Sequence, residues 1–488
     1  MARINTKTTV EPKRVAGGAG AIASKITFLE ELERTTMSCL LWEDAAYSSG
    51  TTIAKRVAEL VHLVPMQDVA NIAVRIRTQH HLRHIPLLLV RELARHPALA
   101  DSPGVVSDTL DKVILRPDEI NEFLAIYWKD KKQPISKQVK LGLSKALLKF
   151  NEYSLAKYNS VKNIRLRDVM FLTHPNPSLE GDIFVKDHRK NESLFKAARP
   201  KGLDAKEQLF SKLTANNLAV PDTWETNLSG GADKKETFAR LMSENNLGDL
   251  AFIRNLRNMV EAGVDQKAIR EYGDSRTWDK VLPFRFISAA KAAPGLETSI
   301  DSWLLKGTIK LPKIKGSTLL VVDTSGSMAR LISANSEMTR LGAAAALTAL
   351  VREVCEEPTI YVTAGSDSSR THATKLIPAR RGMSLIDYIS AGQVTKEIGG
   401  GGIFLAQCLD FIDTEQKGKQ FDRVIVFTDE QDCDHKLNPN TAKLLGKNNY
   451  LVNIATEDRG IGYKKWTHIN GFSESLLSFI AYSEANWN

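Results

Sequence analysis

Apolar residues recur at three- and four-residue spacing through the chain from about residue 27 to residue 293. The segments 51–64, 66–79, 106–115 and 137–150 carry this pattern clearly, and it is typical of amphipathic helices. Pro and Gly residues interrupt the pattern and predict short helix–turn–helix connections. Helical pairs of about 35 to 45 residues without strands indicate a HEAT-like helical-repeat domain. We predict this domain at residues 26–293.

The pattern changes after Ser288. Residues 294–316 are expected to pass into strands and to link the two halves of the chain. Beyond them, apolar strands such as STLLVVD (317–323) and DRVIVFT (422–428) alternate with helical segments such as 338–355. This alternation predicts a parallel, doubly wound α/β domain at 317–488. The expected fold class is therefore a helical-repeat domain followed by an α/β domain, with residues 1–25 as a flexible polar tail.

Charge is distributed unevenly between the two halves. The chain carries a net charge of +9, yet residues 316–488 contain 17 Lys and Arg against 20 Asp and Glu. The remaining 49 basic and 37 acidic residues give the first part a net charge of +12. Such an excess suggests a surface that binds a polyanion such as a nucleic acid. Solvated helix faces that happen to be rich in Lys and Arg are the alternative.

The four cysteines form no C-x-x-C pair, and they are expected to be reduced thiols of a cytoplasmic protein. The N-terminal segment lacks the apolar core of a secretory signal. No stretch approaches the roughly 18 to 20 apolar residues that cross a bilayer, so we expect no membrane partner.

Candidate chemistry is concentrated where two predicted strands end. Asp323, Ser325 and Ser327 follow the first strand of the α/β domain, and Asp429 follows a later one. Parallel strands that end at the same sheet edge would bring these side chains together. Carboxylates and hydroxyls are the hard oxygen ligands that Mg²⁺ prefers. A Ser- and Gly-rich turn that binds no metal is the alternative.

Other site chemistries have little support. The chain has no G-x-x-x-x-G-K-[ST] phosphate loop and no G-x-S-x-G elbow. His80, His81 and His84 have the spacing of a zinc pair but lack a nearby third ligand, so a polar or RNA-facing patch is favoured. The basic run 186–202 either touches RNA or is only solvated.

The cluster of Asp323, Ser325, Ser327 and Asp429 resembles the metal-ion-dependent adhesion site of von Willebrand factor A domains. In that family the serines bind the cation directly and the aspartates act largely through water. A threonine on a Gly-rich loop completes the family's site. Here that loop reads Gly399-Gly400-Gly401-Gly402-Ile403, and the hydroxyl position falls near Gly402. With one oxygen ligand fewer, Mg²⁺ or another divalent cation is expected to bind weakly, or the state of the site that engages a ligand is expected to be impaired.

A basic helical array followed by an A domain resembles the Ro autoantigen (TROVE) family, of the bacterial or phage type. The segments that carry the resemblance are RLRDVMFLTHPNPSLEG (165–181), AFIRNLRNMVEAGV (251–264), VLPFRFISA (281–289), LLVVDTSGSM (319–328) and IVFTDEQ (425–431). The family implies a helical ring closed by the A domain and therefore a monomer. It also implies two RNA surfaces, one for small noncoding Y RNAs on the outside and one for single-stranded 3′ ends of misfolded RNAs that enter the hole.

The resemblance also implies particular RNA-binding residues. Lys157 and His174 match family positions associated with RNA contact. Arg165, Arg167, Arg254 and Arg257 lie within or beside matched segments and are candidate phosphate partners. A solvent-facing cation is the alternative at each position.

The leading hypothesis is a non-catalytic RNA-binding protein that scaffolds a Y-like RNA and engages misfolded RNA. Family members also suggest an exoribonuclease partner such as polynucleotide phosphorylase. The main alternative is a metal-dependent protein-adhesion module without an RNA role. A metal-dependent nuclease is a distant third, because it would need clustered carboxylates around two metals about 4 Å apart.

Overall fold

The computed structural model describes most of the chain in separate stretches. The described residues are 27–38, 50–79, 82–129, 133–159, 164–175, 205–279, 281, 283–309, 311, 313–332, 338–430, 432–434, 442–454, 466–470 and 476–486. The predicted tail at 1–25, the residues His80 and His81, and the basic run 186–202 lie outside them.

The chain divides into two compact units, residues 54–231 and residues 1–53 together with 232–488. The division falls inside the predicted helical domain, because the helices after residue 231 group with the α/β part. The domain limits given by the sequence stay predictions.

The unit 54–231 is built of helices whose apolar faces pack together. Gly142 allows a close approach, since a Cβ there would lie 2.8 Å from Leu110 Cβ and 2.9 Å from the Ser107 carbonyl oxygen. Leu110, Phe123 and Leu143 are fully buried in this core. Its helices, the first of which begins just before the unit, are Gly50–Val61, Met66–Thr78, His84–Leu93, Val105–Val113, Pro117–Tyr127, Lys137–Leu148, Glu152–Tyr158, Leu166–Thr173, Ala205–Thr214 and Trp224–Ser229, with a 3₁₀ turn at Pro97–Asp101.

The helices of the other unit enclose an aromatic core. The Trp278 and Trp303 rings stack with centroids 5.4 Å apart, and Phe252 packs 5.7 Å from Trp303. The helical segment 249–261 breaks at Asn255, where a buried side-chain amide donates to the Ala251 carbonyl at 2.8 Å. The helices are Phe28–Ser38, Lys234–Ser243, Asp249–Arg254, Leu256–Glu261, Gln266–Ser275, Pro283–Ala292 and Glu297–Thr308, with a 3₁₀ turn at Pro294–Leu296.

The helix Glu297–Thr308 corrects one expectation. Residues 294–316 were predicted to pass into strands, but only the last three of them do, at the start of β1. Ile300, Trp303 and Leu304 have helical spacing and are buried, so tertiary packing selects a helix here. Asp301 Oδ1 accepts a hydrogen bond from the Met383 backbone N–H at 2.7 Å, which ties this helix to the α/β part.

The α/β part contains a six-stranded sheet with strand order β3-β2-β1-β4-β5-β6. The strands are β1 Ile314–Asp323, β2 Cys355–Ser366, β3 Thr371–Leu376, β4 Phe421–Thr428, β5 Gly446–Asn453 and β6 Thr467–Asn470. The helices are Arg340–Val354, Gly382–Ser390, Gly392–Ile398, Leu405–Glu415 and Leu476–Asn486, with a 3₁₀ turn at Gly326–Ala329.

The prediction of a wholly parallel sheet was wrong at one edge. β3 pairs antiparallel with β2, and the turn between them includes Arg370 at φ 54°. No strand was predicted at β3, because its sequence THATKL is polar and lacks the apolar run of a buried strand. The other pairings are parallel, so the predicted doubly wound fold class is confirmed. Among the described helices, none is both long and apolar enough to span a membrane.

Candidate cation site and nucleic-acid interface

The carboxyl ends of β1 and β4 meet at one edge of the sheet. The two strands are parallel neighbours, with Val322 opposite Phe427. Asp323 ends β1, and Asp429 directly follows Thr428 at the end of β4. Both carboxylates are fully buried. The structure thus brings together two strand ends that are 106 positions apart in the sequence.

Asp323 is held by one donor from the loop that follows it and one from the end of β4. Its Oδ1 accepts from the Ser325 backbone N–H at 2.8 Å, and its Oδ2 accepts from Thr428 Oγ1 at 2.6 Å. Burial raises the pKa of Asp323 to about 7, and the nearby charge of Asp429 adds to the effect. The hydrogen bonds from Thr428 and Ser325 oppose that shift. Thr428 was not predicted as part of the site, although it directly precedes Asp429 in the sequence.

The two serines of the loop turn their hydroxyls toward each other. Ser325 Oγ and Ser327 Oγ are 3.2 Å apart. The loop packs tightly on the Gly-rich loop, because the Gly326 N–H donates to the Gly401 carbonyl at 3.1 Å. A Cβ at Gly326 would lie 2.8 Å from the Gly400 carbonyl oxygen. Ser327 is half-buried and Gly326 is exposed, so solvent reaches this side of the site.

Asp429 has a partner that the sequence analysis did not identify. Arg340 Nη1 donates to Asp429 Oδ2 at 2.7 Å, and the arginine side chain is only 2% exposed. Asp429 Oδ1 accepts no hydrogen bond from any residue that the structure describes. One signal was available in the sequence. Arg340 is a lone cation at the start of an Ala-rich apolar helix, and such a residue needs an acidic partner when it is buried.

The Gly-rich loop offers no hydroxyl at the position where the family's threonine was expected. The Gly402 N–H donates to Asp367 Oδ1 at 2.8 Å. A Cβ at Gly402 would overlap the Cys433 sulfur, so a threonine would not fit without movement of Cys433. Burial raises the pKa of the Cys433 thiol, and the neighbouring Asp367 contributes.

The donor set fits a hard cation only in part. Two convergent hydroxyls and one unpartnered carboxylate oxygen suit a largely hydrated Mg²⁺. Arg340 occupies the other oxygen of Asp429, and position 402 contributes no oxygen from a side chain. Within the described stretches, no three His, Cys, Asp or Glu side chains are grouped so as to hold a metal ion. A cation here would therefore depend on the serines.

The candidate RNA residues of the unit 54–231 lie on and beside two short helices. Lys157 is exposed, and its ammonium lies 5.9 Å from the Tyr153 ring centroid and 5.8 Å from that of Tyr158. The Arg116 guanidinium lies 4.5 Å above the Tyr158 ring. Tyr153 itself is 52% exposed. Two cations and an exposed aromatic ring therefore lie close together on this surface. Of these residues, only Lys157 was predicted from the sequence.

The other three candidates of this unit lie in or directly beside the helix Leu166–Thr173. Arg165 and Arg167 are half-buried, and Arg167 Nε lies 3.7 Å from Asp168 Oδ1. His174 ends the helix in the left-handed region at φ 50°. Asp168 Oδ2 accepts from the Arg165 backbone N–H at 3.0 Å and caps the first turn.

Arg254 and Arg257 lie in the other unit, on the helices Asp249–Arg254 and Leu256–Glu261. Both side chains are exposed, and Arg257 Nε lies 3.7 Å from Glu261 Oε1. An exposed pair of this kind contributes little to stability. His84 Nε2 lies 3.7 Å from Glu122 Oε2, and burial, followed by Arg83, lowers the pKa of His84.

The fold and the site define a protein in which a series of helices is followed along the chain by an α/β part with a candidate cation site at one edge of its sheet. Residues 208–306 match the family model of the TROVE domain. The chain is also similar to the crystal structure of the Deinococcus radiodurans RO (RSR) protein. That likeness has a TM-score of 0.60 and 15% sequence identity, and it covers 92% of this chain and 98% of the other. No curated protein matches the sequence.

These findings confirm the predicted resemblance to the Ro (TROVE) family, through one matching segment and a shared fold. The matching segment ends at residue 306 and so includes most of the helix Glu297–Thr308. At 15% identity, the structural likeness establishes the fold alone.

Proposed function

We propose that this protein binds RNA without acting on it as an enzyme. It would hold a small Y-like noncoding RNA on a basic outer surface and engage the single-stranded 3′ ends of misfolded RNAs through a helical ring. In this role it is a scaffold for RNA quality control or processing in the cytoplasm. It works as a monomer and presents RNA to an exoribonuclease such as polynucleotide phosphorylase.

One observation carries this proposal most directly. Lys157 and Arg116 lie against the rings of Tyr153 and Tyr158, and Tyr153 is half exposed. Proteins that bind single-stranded nucleic acid combine cations for the phosphates with aromatic rings for the bases. The same surface would serve unpaired bases of a structured RNA, because sequence-specific recognition of RNA uses loops and ends.

Charge distribution supports the same conclusion. The net charge of +12 lies in residues 1–315, whereas residues 316–488 carry −3. Phosphate binding by such a surface releases counterions and gives an affinity that falls with salt. The candidate contacts are Lys157, His174, Arg165, Arg167, Arg254 and Arg257. The free thiols Cys355 and Cys408 suit a reducing compartment.

The A domain has a second part in the proposal. We infer that Asp323, Ser325, Ser327 and Asp429 bind a divalent cation such as Mg²⁺ weakly, with most of its shell filled by water. The cation would supply a positive point at the sheet edge for an acidic group of a protein partner. The buried carboxylate Asp323 holds the loop through the Ser325 N–H, while Ser327 is the half-buried serine of the pair.

Electrophoretic mobility shifts of the purified chain test the RNA proposal. The probe is a structured RNA with a free single-stranded 3′ tail, compared with the same RNA ending in a blunt duplex. We expect tighter binding to the tailed RNA and a steep loss of affinity as the salt concentration rises. The absence of binding at low salt, or an affinity that does not change with salt, would contradict the proposal and favour a protein-adhesion module.

The RNA should remain intact during the assay, and RNA cleavage that Asp429→Ala abolishes would contradict the non-enzymatic role.

A further inference from the structure

Arg340 lies where a divalent cation would otherwise neutralise Asp429. Its Nη1 donates to Asp429 Oδ2 at 2.7 Å, and the two side chains are 2% and 0% exposed. An ion pair this deeply buried is stable only while both charges are present. The guanidinium therefore supplies the positive charge that the Asp429 carboxylate needs.

Several backbone contacts fix Arg340 in this place. Thr339 Oγ1 caps the helix Arg340–Val354 by accepting from the Gly342 N–H at 3.0 Å. The Arg340 N–H donates to the Arg330 carbonyl at 2.9 Å, and Leu331 forms a bridge with Thr339. These contacts connect Arg340 to the segment that begins with Ser325 and Ser327. The start of the helix Arg340–Val354 is therefore tied to residues 330 and 331, which follow the serine loop.

The remaining geometry of the site agrees with an internal cation. Asp323 is held by Ser325 and Thr428, and it makes no contact that requires a metal. Gly402 has no side chain, and the Cys433 sulfur fills the space that a larger residue would need. Of the positions that would surround a bound cation, Asp429 already has one oxygen paired with Arg340, and residue 402 supplies no side-chain oxygen.

We propose that Arg340 is a built-in competitor of the divalent cation, so that a metal ion binds Asp323, Ser325, Ser327 and Asp429 only when the Arg340–Asp429 pair opens. This inference rests on the proposed cation site. A guanidinium and a divalent ion repel each other strongly in a buried environment, so both cannot contact Asp429 at full strength. The pair therefore lowers the metal affinity of the folded wild-type chain.

Calorimetric titration of the full chain with Mg²⁺ and Mn²⁺ tests this proposal. We expect Arg340→Gln to bind these ions about tenfold or more tightly than the wild type, and Asp323→Ala in the same background to remove the binding. Metal should also raise the melting temperature of Arg340→Gln more than that of the wild type. If the wild type binds metal measurably and Arg340→Gln binds it equally or more weakly, the proposed role of Arg340 is overturned but the cation site is not. No binding by either chain would overturn the cation site as well.

Arg340→Gln leaves Asp429 buried without a partner, so this variant risks misfolding. The double variant Arg340→Gln/Asp429→Asn removes both charges and serves as the matched control. If the single variant folds only with millimolar Mg²⁺ while the double variant folds without it, the proposal is supported. If the double variant folds and metal does not rescue the single variant, the proposal is overturned. It is also overturned if the double variant does not fold, because Arg340 would then be needed for packing rather than for charge.

Discussion

The Tyr153 ring and the Lys157 ammonium lie one turn apart on the helix Glu152–Tyr158, with 5.9 Å between the nitrogen and the ring centroid. Residues at this spacing share a helix face. Tyr153 is half exposed and Lys157 is exposed, so both are available to a ligand. A ring beside a cation can stack on a base while the cation contacts the adjoining phosphate.

This arrangement predicts a stacking role for Tyr153. Tyr153→Ala should weaken binding to a single-stranded RNA tail by about 1–3 kcal/mol, because the base loses its aromatic platform. Tyr153→Phe keeps the ring and should bind within a factor of about two of the wild type. Fluorescence anisotropy with a labelled oligonucleotide measures both. Equal affinities of the alanine and phenylalanine variants would argue against stacking.

Lys157 and His174 should act mainly on the phosphates. The double variant Lys157→Gln/His174→Asn is expected to bind RNAs of any sequence more weakly. It should also reduce the magnitude of the slope of log association constant against log salt concentration by about 1. Asparagine is chosen at position 174 because it tolerates the left-handed backbone found there. Circular dichroism checks that the fold is intact.

Lys396 provides a matched control for that experiment. It is an exposed lysine of the acidic α/β part, and Lys396→Gln removes the same charge. We expect it to leave both the affinity and the salt slope near the wild-type values. If Lys396→Gln weakened binding as much as the double variant, only total charge would matter and the assignment of Lys157 and His174 would fail.

Gly402 and Cys433 should be energetically coupled. Gly402→Ala is expected to lower the free energy of unfolding by about 1–3 kcal/mol, because the new Cβ overlaps the Cys433 sulfur. Adding Cys433→Ala frees that space, and a double-mutant cycle should show a coupling of about 0.5–3 kcal/mol. Gly295→Ala, where a Cβ meets nothing within 4 Å, is the control. Urea unfolding of the wild type, the two single variants, the double variant and the control gives these five free energies, and strictly additive effects would contradict the predicted overlap.

Asp422 should make the α/β part sensitive to acid. Lys447 Nζ and the Ser317 N–H donate to this carboxylate at 2.7 and 2.9 Å. These hydrogen bonds lower the pKa of Asp422 to about 2, and the bond from Lys447 has the largest effect. A carboxyl group whose pKa in the folded state lies below its usual value of 3.8 stabilises the fold fully at pH values above 3.8. This contribution is lost as the pH falls through about 2. Asp422→Asn should therefore be less stable than the wild type at neutral pH.

Urea unfolding at several pH values measures that difference. The difference in the free energy of unfolding between the wild type and Asp422→Asn should be largest above pH 3.8 and should become smaller toward pH 2. Because Asp422 is 37% exposed, the gap should also shrink as salt is added. A gap that stays constant with pH would show that the variant acts through packing instead of charge.

Much of the fold was predictable because its signals are local. The spacing of apolar residues identified the helices at 66–78 and 137–148 to within one or two residues. β1 and β4 were predictable as buried apolar runs that end in carboxylates. The edge strand β3 was missed because THATKL is polar and pairs only with the preceding strand β2. The helix Glu297–Thr308 was missed although Ile300, Trp303 and Leu304 have helical spacing.

The candidate site divides in the same way. The sequence by itself determined that Asp323, Ser325, Ser327 and Asp429 would meet, since parallel strands place their carboxyl ends at one edge. It also determined that the Gly-rich loop has no threonine. The tertiary structure alone decided what stands beside these groups. Arg340 reaches Asp429 across 89 positions, and Cys433 fills the space at Gly402. Contacts of this kind depend on how loops pack in three dimensions, and no local periodicity in the sequence records them.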